Sequence, residues 1–419
     1  MHEMDFSSDA GRAILAHLRN TDAAALASVT EMTRRLFALQ SDWAPGLHFI
    51  GGEASRSAQS GALSSEMNFS LAGSGSTAEE GLIACLGECA ERVATVERDG
   101  DIAGTISLSE AKPQVMSSAL CLIECLVEQQ SGNTALIAVD WCRAHELASG
   151  KEILVPADWC VRRARRGPLA IPNSALSSGV AAGPTFDFAA ERALLELIER
   201  DASCLWWVGG RRGHPLALDG PAIAAAVSLL AALRQGQTHR RTWLLDITSD
   251  LGVPCAVAIS TAAEGNGIAF GLSARLSLEA AARGAILEMC QMELGIQLAM
   301  MKLQQLGEVG LTENDRHQLA RANNLNARDC DLLHPFGVSR SEERKSLNSG
   351  IAQLTATMAA KGIEVALLDL TRPDIAVSIV RAVAPKLQPM PGEIITRRLR
   401  QALSETGGTH HWTRGLPLM

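Results

Sequence analysis

Residues 176–207 read LSSGVAAGPTFDFAAERALLELIERDASCLWW. A glycine-containing segment, Ser178 to Pro184, ends at Thr185, a residue type suited to the N-cap of a helix. An Ala- and Leu-rich run follows and carries Glu196-x-x-Glu199-Arg200, so the stretch predicts a loop opening into a long helix. Carboxylates three residues apart share one helix face, and two like charges held there slightly destabilise the helix. Leu194, Leu195, Leu197 and Ile198 surround them, so part of that face is expected to be buried and in need of a positive partner. A divalent cation with a polyphosphate satisfies such a cluster, because hard cations take carboxylate oxygens and Mg2+ usually binds substrate phosphates as well.

The arrangement is written twice. Ala72-Gly73-Ser74-Gly75-Ser76-Thr77 precedes a helical run that holds Glu88-x-x-Glu91-Arg92 within Ile83-Ala84-Cys85-Leu86 and GECAER. Thr77 with Glu80 three residues on reads as a capping box, which predicts a helix from about residue 78 to the mid-90s. A third helix follows Gly271-Leu272-Ser273-Ala274-Arg275-Leu276, with Ser277 as N-cap and Glu288-x-x-Gln291 at the same three-residue spacing. A single ExxER on an amphipathic helix is ordinarily a solvated, salt-bridged face, and repetition is what favours a site. On the carboxylate chemistry alone, removing Glu88 or Glu91 from a cation-free protein is expected to be neutral or stabilising.

These stretches resemble the YcaO family. LSSGVAAGPTFDFAAERALLELIERDASCLWW is similar to its central signature and GSTAEEGLIACLGECAER at 75–92 to its first. LLDITSDLGVPCAVAIS at 244–260 with GLSARLSLEAAARGAILEMCQ at 271–291 is similar to its third, and LLDLTRPDIAVSIVRAVAP at 367–385 to its last strand region. The resemblance implies a YcaO-type fold of mixed α/β sheets, with paired carboxylates around a nucleotide site, and ATP and Mg2+ as cofactors. It implies an ATP-dependent cyclodehydratase that phosphorylates a backbone amide oxygen and converts Cys, Ser or Thr of a ribosomally made precursor peptide to azolines. A thioamide- or amidine-forming enzyme and a non-catalytic scaffold are the alternatives. Glu88, Glu91, Glu196 and Glu199 are the implied metal ligands, with Arg92 and Arg200 as phosphate contacts, and Glu288 and Gln291 next. Ser28, in a segment similar to an early helix of the family, is an implied nucleotide contact, while Thr21 stands where the family has Lys.

Three positions depart from the pattern: Ser74 replaces a common Lys, Pro184 a common Asn, and Phe188 a common Glu. Phe188 also deletes the capping box expected after Thr185. The tail His410 to Met419 reads as a frayed terminus, and of the family's proline-rich tail it keeps Pro417.

The chain has 419 residues and a formal net charge of −8, which argues against a general nucleic-acid binder. Arg162-Arg163-Ala164-Arg165-Arg166 is a short basic run, expected on an exposed loop or against an anionic peptide or phosphate. Neither a signal-peptide pattern nor a long apolar run is evident, so a cytoplasmic protein without membrane contact is expected, its ten cysteines reduced. The resemblance further implies a separate leader-binding partner, ubiquitin-activating-enzyme-like or TfuA-like, and allows a homodimer.

Organisation is read as an N-terminal helical segment over 1–65, a YcaO domain over 66–400 and a tail over 401–419. Within the first, Leu15, Leu18, Leu26, Met32, Leu36 and Leu39 form an apolar stripe that predicts one or two helices across 8–40. Runs rich in β-branched and apolar residues at 134–141 and 152–161, separated by Gly150, predict a hairpin. Further strands are predicted at 243–247, 254–260, 363–370 and 375–382. Residues 308–350 show little chemistry. Trp206 and Trp207 are expected in the core.

Overall fold

In the computed structural model, residues 2–3, 16, 18, 24–60, 63–128, 137–341, 346–347, 350–390 and 392–418 are described. The first sheet is antiparallel and built from β1 (His2–Glu3), β2 (Thr33–Leu39), β3 (His48–Ser60) and β4 (Leu63–Gly75), in that order. Of the helix expected across 8–40, residues 16 and 18 are helical and Ala24–Met32 is a 3-10 turn, while Thr33–Leu39 is strand. In β2 the apolar side chains serve a pleated surface: Leu36 is buried while Leu36 and Phe37 pair with Gly52 and Gly51 of β3. From Thr33 onward the described residues of 1–65 are thus largely sheet rather than helix; Leu15 and Thr21 lie outside the described residues.

Helix α1 (Ala78–Ala94) follows β4, and Thr77 accepts the Glu80 N–H as its N-cap. Its buried face, Leu82, Cys85, Leu86, Cys89, Ala90 and Val93, repeats every three to four residues and packs into the largest apolar cluster. The Cys85 and Cys89 thiols are raised by burial, Cys89 to about 12, which fits packing rather than metal ligation. A second sheet contains β5 (Gly104–Ser107), β6 (Ala138–Glu146), β7 (Glu152–Pro156) and β8 (Val180–Gly183), with α2 (Ser117–Glu128) and α3 (Asn173–Ser177) between its strands. The expected hairpin is β6–β7, turned at Gly150 with φ +69°, though β6 begins at Ala138.

Helix α4 (Phe186–Trp207) is capped by Thr185, which accepts the Phe188 N–H. Ala189, Ala190, Ala193, Leu194 and Ile198 are buried where it packs between β8 and the third sheet, and the small residues permit close approach. That third sheet has order β12-β11-β10-β9, from β9 (His214–Leu216), β10 (Arg241–Asp246), β11 (Cys255–Thr261) and β12 (Ala269–Ala274), with α5 (Ala224–Arg234) after β9. Helix α6 (Leu278–Leu306), capped by Ser277, covers it; α7 (Glu313–Asn324) and α8 (Gly350–Ala360) follow. Strands β13 (Ala366–Asp369) and β14 (Ser378–Val383) return to the second sheet, giving β5-β6-β13-β14-β8.

The tail is not frayed. Helices α9 (Arg397–Thr406) and α10 (His410–Thr413) pack on α4, the Trp207 Nε1 donates to the Leu416 carbonyl at 2.8 Å, and Leu418 is buried. Trp206 and Trp207 sit against Phe270, with ring centroids 6.0 and 5.2 Å away, so both are core. No described helix is long and apolar enough to cross a membrane.

Candidate functional site

Each acidic helix starts just after a strand that runs back beneath it. A Cβ on Gly73 of β4 would lie 2.2 Å from the Cys85 backbone nitrogen, and one on Gly271 of β12 would lie 2.0 Å from the Ala285 carbonyl oxygen. Only glycine permits strand and helix to meet this closely. The contact brings the helix carboxylates within reach of strand N–H groups. Glu88 accepts from Ala72 at 2.7 Å, Glu196 from Gly179 at 2.9 Å and Glu288 from Leu272 at 2.6 Å.

The second carboxylate of each pair reaches the next unit. Glu91 of α1 accepts the Ala182 N–H of β8 at 2.9 Å, and Glu199 of α4 accepts the Ala274 N–H of β12 at 3.0 Å. Three strand–helix units are thereby stitched into one acidic face. These backbone bonds depend on tertiary placement and leave no local pattern, and they explain why carboxylates tolerate an apolar setting.

A cavity of about 900 Å³ opens over this face. Glu88, Glu91, Arg92, Glu196 and Arg200 all line it, so five of the expected residues, from two distant segments, converge. Glu199, 7% exposed, lies beneath them and reaches the cavity through Arg200, 3.5 Å away. Glu288 and Gln291 on α6 are outside the lining, and Glu288 acts on the same cluster only through space. Ser28 is also outside it, because its Oγ donates to the Ala25 carbonyl of its own turn at 2.9 Å.

The arginines divide their work. Arg92 donates to Glu88, with Nη2 at 2.8 Å, and to the Ser177 Oγ at 2.7 Å. Arg200 approaches Glu196 at 3.4 Å and Glu199 at 3.5 Å. Burial alone would lower the Arg200 guanidinium, but Glu199, Glu196 and Glu288 together hold it above its ordinary value.

Positive charge is nevertheless short. Burial, with Glu196 and Glu88 nearby, pushes the Glu91 carboxyl up to about 8 against the Ala182 bond and Arg92, and burial with Glu199 pushes Glu288 up to about 7. Glu199 is raised as well, again chiefly by burial. Carboxyls in this condition regain their charge when a cation arrives. Among the described residues no three His, Cys, Asp or Glu side chains converge closely enough to hold a metal by themselves. The donor set therefore fits Mg2+ bound through one or two carboxylates and a phosphate-bearing ligand, the usual Mg2+ pattern, and does not fit an all-protein cage.

Further residues line the cavity, and of these the sequence marked only Arg162, within a basic run, and Pro417, in the tail. Glu313, Asn314 and His317 project from α7, Glu393 from the segment after β14, and Arg162 and Ser177 from the far wall. Pro417 lines it too, held by the Arg321 Nη1 donating to its carbonyl at 3.0 Å. The spacing of Glu313 and His317 marks one helix face, but nothing local says that this face meets a cleft some two hundred residues away in sequence.

Comparison with known proteins agrees with this architecture. The YcaO family model, described as YcaO cyclodehydratase, ATP- and Mg2+-binding, matches residues 72–388. No curated protein matches significantly. A heterocyclase solved in complex with substrate and cofactor superposes with TM-score 0.71 at 20% identity, over 92% of this chain and 55% of that one. The YcaO of Methanopyrus kandleri bound with AMPPCP and Mg2+ gives 0.60 at 18%, over 90% and 91% of the two chains. The E. coli microcin synthetase McbBCD complex gives 0.59 at 14%, over 84% and 91%. The chain thus spans about half the length of the first of these and shares the fold of all three.

Proposed function

This chain belongs to the YcaO family, and on that premise we propose that it is an ATP- and Mg2+-dependent cyclodehydratase that converts Cys, Ser or Thr of a ribosomally made precursor peptide to azolines. The observation that carries the reading is the convergence of Glu88, Glu91 and Glu196, with Arg92 and Arg200, on one large cavity. Mg2+ with ATP would supply a transferable phosphoryl group for the backbone amide oxygen. Of the proposed ligands Glu88, Glu91, Glu196 and Glu199, one or two of the three that face the cavity would hold a given cation, Glu199 would act beneath them through Arg200, and Arg92 and Arg200 would face the phosphates. Glu288 supports the cluster electrostatically. Ser28 and Gln291 are not part of the proposed set.

The chain's own contribution is positioning and charge. Its guanidiniums are fixed by carboxylates before any ligand arrives, so little reorganisation is needed when negative charge develops. Phosphoryl transfer asks for this more than for a protein nucleophile. The side-chain nucleophile belongs to the peptide: its S or O attacks the preceding carbonyl carbon, the phosphorylated oxygen leaves as phosphate, and the thiol or hydroxyl and amide protons are lost. A separate leader-binding protein would present the peptide, since much of the rate advantage in such a site comes from orientation.

Mass spectrometry of the precursor encoded nearby, incubated with ATP, Mg2+ and its leader-binding partner, tests the reading. One water lost per modified residue, with stoichiometric phosphate release, is expected. Exchange of oxygen for sulfur would replace azoline by thioamide formation, water lost on joining an amine would indicate an amidine, and an unchanged mass with every component present would favour a scaffold.

A further inference from the structure

Beside the cleft lies a second, smaller cavity of about 70 Å³ that shares Ser178 and Arg200 with it. Its other walls are mostly apolar, from Leu122 of α2, Trp159, Leu197 of α4, Val383 of β14, Leu387 and Ile394. Two polar side chains of the lining are already committed. Gln388, fully buried, donates its amide to the Pro389 and Ile394 carbonyls and accepts the Thr396 N–H and hydroxyl, which fixes the wall after β14. Arg200 is held by Glu196 and Glu199.

Arg381 of β14, which also lines this cavity, has donors to spare. It is 3% exposed, and among the described residues its guanidinium makes one hydrogen bond, from Nη1 to the Leu176 carbonyl. Its Nε–H is buried without a partner, and no carboxylate of the described residues pairs with it. Other buried arginines differ: Arg163 has Glu97, Asp140 and Asp158 around it, and Arg234 has Glu293. Burial lowers the Arg381 guanidinium, and Cys160 and Glu196 oppose this only through space. A buried charge with one neutral acceptor is costly, so an anion entering the cavity meets a cation that the protein itself leaves uncompensated.

We propose that this cavity takes a carboxylate on a short aliphatic stem, its head on Arg381 and its stem against the apolar lining. Guanidinium and carboxylate match in a charge-assisted fork, and apolar walls stabilise a hydrocarbon stem while disfavouring a more polar body. No carboxylate of the described residues lines the cavity, so a metal-bound phosphate finds no ligand there. With about 10–15 Å³ needed for each water-sized group, the space admits about five, as many as the heavy atoms of a glutamate side chain or of propionate. Two sources share this chemistry: a glutamate of the peptide substrate near its reacting residue, or a free short-chain acid. The first rests on the reading of the cleft as the place where a peptide is modified, since Ser178 and Arg200 border both spaces.

Ligand-observed NMR on the intact protein is the test. Propionate, titrated without nucleotide or Mg2+, should bind the wild type and lose roughly tenfold or more in affinity in Arg381→Met, the effect of one charge-assisted hydrogen bond. Exchange of an unpaired buried charge for an apolar side chain is compatible with folding. If Arg381→Met nevertheless fails to fold, Ala384→Val keeps the guanidinium, fills part of the lining and should weaken propionate several-fold. Formate and chloride bring charge without a stem and should bind more weakly. N-acetyl-glutamate amide binding at least as tightly as propionate identifies a peptide residue as the occupant; propionate binding alone identifies a free acid. Absence of propionate binding to the wild type, equal affinity in the folded variant, or formate and chloride as tight as propionate, an adventitious ion only, overturns the proposal. Displacement of propionate by Mg2+-AMPPCP overturns it as well, because the cavity would then belong to the nucleotide. Failure of Mg2+-AMPPCP to bind at all would instead strike the functional reading and leave the propionate titration to judge the cavity alone.

Discussion

Helices α1 and α4 carry the same ExxER motif after the same glycine-containing strand end, yet their arginines face different tasks. In α4, Arg200 lies between Glu196 and Glu199, its side chain 16% exposed, and serves both carboxylates. In α1, Arg92 is 29% exposed, pairs with Glu88 and reaches Ser177, so among the described residues Glu91 has no cation at bonding distance. The motif fixes which residues face the cavity. Which carboxylate lacks a partner is decided by what stands on the other wall.

That difference orders the expected effects of substitution. The largest belongs to α4. Glu196→Gln should weaken Mg2+-nucleotide binding by roughly tenfold or more, because it takes away a carboxylate at the cleft surface that also anchors Arg200. Titration with and without Mg2+ is the measurement. Equal affinity in the two conditions would mean that the α4 pair is only a structural face, and the contrast with α1 would lose its functional content.

The next effect belongs to α1 and to pH. A carboxyl raised from 4.5 to about 8 in the folded, metal-free protein binds a proton that the unfolded chain has released, so stability falls as pH rises between those values. Below about pH 4.5 the contribution is complete; above about pH 8 it is gone. Glu91→Gln mimics the protonated form and should raise the melting temperature at pH 8.5 while changing it little at pH 4.5. Glu88→Gln should not, because Glu88 accepts the Ala72 N–H and pairs with Arg92. The like-charge argument from sequence treated both as dispensable; the structure separates them. Identical melting behaviour of the two variants across this range would remove the distinction between paired and unpaired carboxylates.

How far the sequence carries the argument follows from the same elements. N-caps at Thr77, Thr185 and Ser277, the long helices they begin and the two acidic faces are local patterns, and all three caps accept the N–H three residues on. The β2–β4 sheet was missed because Leu26, Met32, Leu36 and Leu39 satisfy a helical spacing, and only pairing with β3 makes residues 33–39 a strand. The contributions of α7 and Glu393 are missed for a plainer reason: no local signal tells a surface helix that its polar face lines a cleft, whereas Pro417 was marked only through its resemblance to the family's tail. Arg162 stood out only as part of a basic run, and what distinguishes it from Arg163 is the absence of acidic neighbours in space.

The smallest expected effect concerns how the two helices begin. In α1, Glu80 accepts both the N–H and the hydroxyl of Ser76 and also pairs with Arg283 of α6 at 3.0 Å, so the start of the helix is tied to another unit. In α4 the equivalent position is Phe188, half exposed, with its ring 5.7 Å from the Arg192 Cζ. Thr77→Ala and Thr185→Ala each remove one cap acceptor and should each cost about 1 kcal/mol. Glu80→Ala should cost a similar amount, whereas Phe188→Ala should cost less, because Glu80 gives up two bonds to Ser76 and the pair with Arg283, and the half-exposed Phe188 only a ring contact with the part-buried Arg192 guanidinium. Denaturant unfolding of the four variants checks the ranking. If Phe188→Ala proves as costly as Glu80→Ala, the aromatic ring has taken over the anchoring role of the carboxylate, and the two helix starts are equivalent in strength despite their different chemistry.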